Sequence, residues 1–143
     1  MRINTLGFLF LTIVFISHAY GQEAKHEGSE PETDNMLVRI AEIEIDSNYV
    51  KEYLIILKEE AEASVRLEPG VICIYPMFVK ENPTKIRLLE IYASKEAYES
   101  HLQTPHFKHY KEATLKMVKH LKLIDMEAIN TEAMPMIFRK LNK

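Results

Sequence analysis

The pattern that most constrains the fold is a repeated change of hydrophobic period along residues 36–129. Apolar residues spaced three and four apart predict two helical regions. One begins at Asp46 or Ser47 and stops at Pro69-Gly70; the other is interrupted at Thr104-Pro105 and continues to His120. Alternating segments rich in β-branched and aromatic residues predict strands, and these are 36–45, 71–80, 85–93 and 121–129.

The predicted order is strand, helix, strand, strand, helix, strand. It indicates an α+β chain with the ferredoxin-like βαββαβ order, an antiparallel sheet and helices on one face. The segment ENPT at 81–84 predicts a tight turn between the second and third strands. In the second strand both alternating sets are apolar, so both sheet faces should be covered. A second copy of the chain is the simplest cover for the face without helices, and we predict a homodimer.

The first 21 residues have the composition of a secretory signal peptide. Arg2 precedes an uncharged apolar run from Leu6 to Ile16, and Ala19 and Gly21 are small residues suited to a cleavage site. The run is too short for a comfortable transmembrane span. We expect cleavage after Gly21, giving a periplasmic or secreted protein with no membrane association after cleavage; an uncleaved N-terminal anchor is the alternative.

Composition divides the rest of the chain. Residues 22–35 are acidic and lack large apolar side chains, which predicts a disordered linker. Residues 36–131 form one predicted domain, and the apolar tail 132–143 should pack on that domain or on the partner subunit. A net charge of −3 with no basic stripe argues against nucleic acid. The single cysteine, Cys73, excludes an internal disulfide and is expected to be buried.

The segment EPGVICIYPMFVKENPTKIRLLEIYASKEAYESHLQTPHFKHY resembles the core of the antibiotic biosynthesis monooxygenase family, which are dimeric α+β barrel proteins. The resemblance covers about residues 36–129. The matching features are Pro69-Gly70, Pro83, Glu90, the Ser94–Ala97 helix start and the run from His101 to Phe107.

This resemblance implies an enzyme that oxidises a quinol- or anthrone-like aromatic molecule with O2 and needs no cofactor. An isomerase or tautomerase on the same scaffold is one alternative, and a periplasmic dimer that binds a small molecule without turnover is another. A haem-degrading branch uses Asn, Trp and His at positions occupied here by Ile43, His101 and Lys111. The chain has no tryptophan, so we rank haem degradation low.

The candidate catalytic residues are His101, His106 and Glu90. His101 shares an inward helix face with Ala97 and Tyr98, and a neutral histidine suits a general base. Buried histidines and carboxylates are often purely structural, and that interpretation stays open for all three. The predicted substrate-binding residues offer flat, apolar or hydroxyl-bearing surfaces; they are Tyr75, Met77, Tyr92, Phe107 and Tyr110. The last two belong to a predicted helix stripe that continues through Thr114, Met117, Val118 and Leu121.

A metal site is not expected from the spacing. His101 and His106 are five residues apart with Pro105 between them, so they do not share one helix face in the i, i+4 manner. No Asp, Glu or Cys accompanies them at ligand spacing along the chain, although Glu90 could approach them in space.

Overall fold

The computed structural model describes residues 35–141. The predicted signal peptide and all but the last residue of the predicted linker lie outside this range. Within it, no helix is long and apolar enough to cross a membrane. The elements in chain order are β1 (Leu37–Ile45), a 3₁₀ turn (Ser47–Tyr49), α1 (Val50–Leu67), β2 (Val71–Val79), β3 (Asn82–Tyr92), α2 (Lys95–His101), α3 (Pro105–Thr114), β4 (Val118–Met126) and α4 (Ala133–Leu141).

The four strands form one antiparallel sheet in the order β2-β3-β1-β4. Helix α1 packs against both β2 and α3, which places the helices over one face of the sheet. The residues of β1 and β3 that face them pair in register, Ala41 with Leu88 and Ile43 with Ile86, and all four are buried. The predicted α+β, ferredoxin-like arrangement is therefore confirmed.

Local sequence explains where the short helices begin. The Ser94 hydroxyl accepts a hydrogen bond from the Ala97 N–H at the start of α2. Thr104 does the same for Phe107 at the start of α3, where Pro105 occupies the first turn without loss of a backbone hydrogen bond. The two helices are thus separate but joined by a three-residue link, as the Thr104-Pro105 interruption predicts.

Several predicted boundaries are wrong. Helix α3 ends at Thr114 instead of His120, and β4 spans Val118–Met126 instead of 121–129, with a register shift near its start. Val118 pairs with Ile45 and Leu121 with Ile43, so two strand residues three apart face the same side. The predicted turn at 81–84 is also shorter, since β3 already begins at Asn82, which pairs with Val79.

The sheet face opposite the helices carries exposed apolar side chains. Tyr75 is 60% exposed and Met77 41%, both on the edge strand β2. The C-terminal tail contains α4, a helix that the sequence analysis did not predict, and its Met136, Ile137 and Leu141 are also exposed in the single chain.

Candidate active site

A cavity of about 390 Å³ lies between the helix-facing side of the sheet and the helices α1, α2 and α3. Its walls are mainly apolar, with a small set of polar groups aimed inward, as is typical of a small-molecule site. The apolar lining includes Ala41, Ile43, Ile74, Leu88, Leu121 and Leu123, and the aromatic lining is Tyr92, Tyr98, Phe107 and Tyr110. The lining also contains four ionisable side chains, Glu60, Glu90, His101 and Lys111.

His101, the last residue of α2, is 2% exposed. Its ring packs between Phe107, at 4.7 Å between centroids, and Tyr92, at 5.5 Å. Its Nδ1 lies 3.0 Å from Glu68 Oε1, and its Nε2 lies 3.7 Å from Glu60 Oε1. The ring therefore stands between two carboxylates.

Glu68 follows α1 directly and joins both predicted catalytic histidines. Its Oε1 is 2.5 Å from His106 Nε2 and 3.0 Å from His101 Nδ1. Burial would raise the pKa of Glu68, but the hydrogen bonds from His106 and His101 together hold it below its ordinary value. An ionised carboxylate only accepts hydrogen bonds, so both facing ring nitrogens donate to it. In the tautomer that carries its proton on Nδ1, His101 presents Nε2 as an acceptor 3.7 Å from Glu60 Oε1.

Two further carboxylates on the cavity wall are deeply buried. Glu60 is 5% exposed and accepts a hydrogen bond from the Ser64 hydroxyl at 2.8 Å. Glu90 is 8% exposed and accepts one from the Tyr92 hydroxyl at 3.1 Å. Burial raises the pKa of both Glu60 and Glu90 above the ordinary value. A raised pKa makes each of these groups, when ionised, a stronger proton acceptor than an exposed carboxylate.

Tyr110 lines the cavity and is hydrogen-bonded to the fully buried Tyr53. The Tyr53 and Tyr110 oxygens are 2.7 Å apart and connect α1 to α3. Burial raises the pKa of Tyr110 to about 12, so its hydroxyl stays protonated and can donate a hydrogen bond to an oxygen in the cavity.

The structure brings most, but not all, of the predicted site residues together. Glu90, His101 and the predicted binding residues Tyr92, Phe107 and Tyr110 line the cavity. His106 lies behind His101, at Glu68. Tyr75 and Met77 are in register with Leu89 and Arg87 on the opposite sheet face, so they do not line this cavity.

Sequence reasoning missed Glu60 and Glu68. A signal for Glu60 was present, because it lies three residues after Leu57 and four before Ser64, on the buried face of α1. Glu68 had no comparable signal. It lies 33 residues from His101 and 38 from His106, and only the packing of α1 beside α2 and α3 brings the three together.

A family model described as antibiotic biosynthesis monooxygenase matches residues 36–113. No curated protein matches the chain. Among solved structures, a protein from Bacteroides thetaiotaomicron named as an antibiotic biosynthesis monooxygenase is 50% identical, with a TM-score of 0.68, over 68% of this chain and 93% of its own.

Two other solved structures extend the comparison. A protein from Lactobacillus acidophilus named as a monooxygenase is 31% identical, with a TM-score of 0.64, over 66% of this chain but only 45% of its own. One from Nitrosomonas europaea, named as an antibiotic biosynthesis monooxygenase, is 18% identical with a TM-score of 0.64, over 68% of this chain and 93% of its own. At 18% identity, the similarity to the Nitrosomonas europaea protein concerns the fold alone.

Proposed function

The chain belongs to the antibiotic biosynthesis monooxygenase family, whose general function is monooxygenase-like, and we propose a more specific activity for it. In this proposal the chain oxidises a small, flat phenolic molecule with O2. A quinol- or anthrone-like compound is the proposed substrate class. The observation that carries the proposal is the cavity, in which an apolar and aromatic wall surrounds Glu60, Glu90 and His101. Such a wall fits aromatic rings, and the polar groups fit their hydroxyls.

The pair formed by Glu60 and His101 is the proposed proton acceptor. It takes a phenolic O–H or an activated C–H proton, leaving an electron-rich anion. That anion transfers one electron to O2, and the two radicals combine to a peroxide at carbon. For an anthrone-type CH₂ group, loss of water then gives the ketone, so one oxygen atom stays in the product and the other leaves as water. The substrate supplies all four electrons, and the reaction therefore needs no flavin or haem.

Two other groups support the charge that develops. The Tyr110 hydroxyl can donate to the oxyanion of the substrate or peroxide. Glu90 accepts a hydrogen bond from the Tyr92 hydroxyl and lines the sheet side of the cavity, which supports a role as hydrogen-bond acceptor for a substrate hydroxyl. Both roles use side chains already fixed by hydrogen bonds, so little reorganisation accompanies reaction.

Oxygen uptake by the purified chain over a panel of hydroquinones and anthrones tests this function. Glu60→Gln and His101→Asn should lower kcat by roughly 10²- to 10⁴-fold, the usual contribution of a general base. His109→Ala, an exposed histidine on α3, is the matched control and should keep full activity. Circular dichroism of each variant checks that it is folded.

Other outcomes of that assay would contradict the proposal in distinct ways. Conversion of a compound without oxygen uptake would identify an isomerase or tautomerase. Recovery of unmodified ligand with the protein after long incubation would identify a binding protein. Equal uptake by wild type and both site variants would remove Glu60 and His101 from the chemistry.

We also propose that the protein acts after export and as a homodimer. Support for export is the signal-like composition of residues 1–21. The intact mass of protein recovered from the periplasm or medium should correspond to a chain starting at Gln22.

Support for the dimer is the exposed apolar surface on the sheet face opposite the helices.

A further inference from the structure

Three potential metal ligands converge behind the cavity wall. Glu68 Oε1, His101 Nδ1 and His106 Nε2 all lie within 4.8 Å of one another. They come from three elements, since Glu68 follows α1, His101 ends α2 and His106 is the second residue of α3. The Nδ1 atom of His101 and the Nε2 atom of His106 both face Glu68 Oε1.

This donor set suits a borderline transition-metal ion. Two imidazole nitrogens and one carboxylate oxygen bind Zn²⁺ at about 2.0–2.2 Å, with a water molecule in the fourth position. Tetrahedral ligands at those lengths are roughly 3.3 Å apart, close to the 2.5 and 3.0 Å that separate the two nitrogens from the carboxylate oxygen. Small rotamer adjustments would therefore open room for the ion. The Glu68 and His106 side chains are 12% and 19% exposed, which leaves a path for metal and water.

The surroundings add two independent features of a metal site. The nitrogen of His101 that points away from Glu68 faces Glu60 Oε1, and Glu60 is itself fixed by Ser64. A carboxylate behind a ligating imidazole is the usual arrangement that orients such a ligand. Moreover, the ion pairs of Glu60 and Glu68 among the described residues involve only histidines. Two carboxyl groups thus lie beside the two rings, and among the described residues neither is paired with a lysine or arginine.

We propose that Glu68, His101 and His106 bind one divalent transition-metal ion of the Zn²⁺ class. Glu68 and His106 lie behind His101 and not among the cavity-lining residues, so the ion has a structural role: it holds the end of α1 to the α2–α3 link. With the ion on Nδ1, neutral His101 carries its proton on Nε2, next to Glu60. Proton acceptance from a substrate then passes to Glu60. Metal binding itself does not depend on the proposed monooxygenase function.

Titration of the metal-free chain with Co²⁺ and Zn²⁺ tests the site. The purified protein is stripped with a chelator and dialysed. We expect Co²⁺ to produce visible ligand-field absorption that saturates at one ion per chain and disappears on addition of Zn²⁺. Calorimetry with Zn²⁺ should give the same stoichiometry, and the melting temperature should rise with Zn²⁺ concentration.

Variants separate this site from adventitious binding. Loss of a residue that only orients a ligand typically weakens metal binding by roughly 10–100-fold, and we expect a loss of that size for Glu60→Gln. Glu68→Gln and His106→Ala each remove a ligand and should weaken Zn²⁺ binding by more than that. His109→Ala and His120→Ala remove exposed histidines and should leave binding unchanged. Absence of saturable binding in the wild type would overturn the proposal, as would binding that survives both Glu68→Gln and His106→Ala in folded protein.

Discussion

Cys73 lies half-buried on β2, where its thiol donates a weak hydrogen bond to the Leu89 carbonyl at 3.8 Å. Burial raises the pKa of the Cys73 thiol above its ordinary value. A raised pKa leaves less thiolate at a given pH, and only the thiolate is alkylated rapidly. We expect iodoacetamide to modify folded protein at pH 8 several-fold more slowly than the urea-unfolded chain.

The pH profile of alkylation distinguishes ionisation from restricted access. If the pKa is raised, the rate for folded protein keeps increasing nearly tenfold per pH unit above the pH where the unfolded chain levels off. Because Cys73 is the only cysteine, each rate reports one site. Parallel profiles for the folded and unfolded chains would contradict a raised pKa.

Among single residues, those whose role follows from local spacing could be predicted from the sequence. His101 was placed inward by the face it shares with Ala97 and Tyr98, and it is buried on the cavity wall. Glu68 could not be found in this way, because its position depends on how α1 ends relative to α2 and α3. The prediction for Tyr75 and Met77 rests on chemical type alone, which carries no information about the face of the sheet.

At the scale of elements, Gly70 permits close packing between β2 and α2. A Cβ at residue 70 would lie 2.6 Å from Ala97 Cβ, far inside normal contact. Gly70→Ala should therefore lower the free energy of unfolding by about 1–3 kcal/mol, the usual cost of overpacking. Urea denaturation measures this.

A second substitution isolates the contact between the two elements. Ala97→Gly removes the opposing Cβ, while Ala97 Cα would still be 3.5 Å away, at ordinary contact distance. Ala97→Gly alone costs up to roughly 1 kcal/mol as a glycine in a helix. Gly70→Ala should cost clearly less in the Ala97→Gly background than in wild type. Equal costs in both backgrounds would mean that residue 97 is not the cause.

Thr104 connects the two short helices beside the cavity. Its hydroxyl oxygen accepts the Phe107 N–H, and its O–H donates to the His101 carbonyl at 2.8 Å. Thr104→Ala should cost about 0.5–2 kcal/mol of stability through loss of this cap. Thr104→Ser keeps the hydroxyl and should restore most of that stability. Thermal or urea unfolding of the two variants measures the loss of stability. An equal loss of stability in both would mean that the methyl group of Thr104, and not its hydroxyl, is responsible.

The order of elements was predictable because helices and strands have different hydrophobic periods. The end of α3 was not, because the bulge in β4 places Val118 and Leu121 on one face at a helix-like spacing of three. Thr114, Met117, Val118 and Leu121 therefore satisfy a helical stripe although the last two belong to a strand. The register of β4 depends on its partner strand β1, so it cannot be inferred from the spacing of apolar residues within the segment itself.

At the scale of the whole molecule, exposed apolar side chains lie on the sheet face away from the cavity. Tyr75, Met77 and Val79 on β2 and Met126 on β4 are all more than a third exposed in the single chain. The pairing registers place Tyr75, Met77 and Met126 on the face opposite the helices. A second chain packed sheet to sheet would remove this surface from water, which is the driving force for the proposed dimer.

Met77→Glu tests that interface without disturbing the core, because Met77 is already 41% exposed in the single chain. Arg87, the cross-strand neighbour of Met77, already pairs with Glu42, so a second carboxylate buried between two sheets is costly and the variant should shift from dimer to monomer at micromolar concentration. Ile55→Glu is the matched control, since Ile55 is 59% exposed on α1. Light scattering coupled to size-exclusion chromatography should give twice the chain mass for wild type and Ile55→Glu. A monomeric wild type, or a Met77→Glu variant that stays dimeric, would contradict sheet-to-sheet assembly through this face.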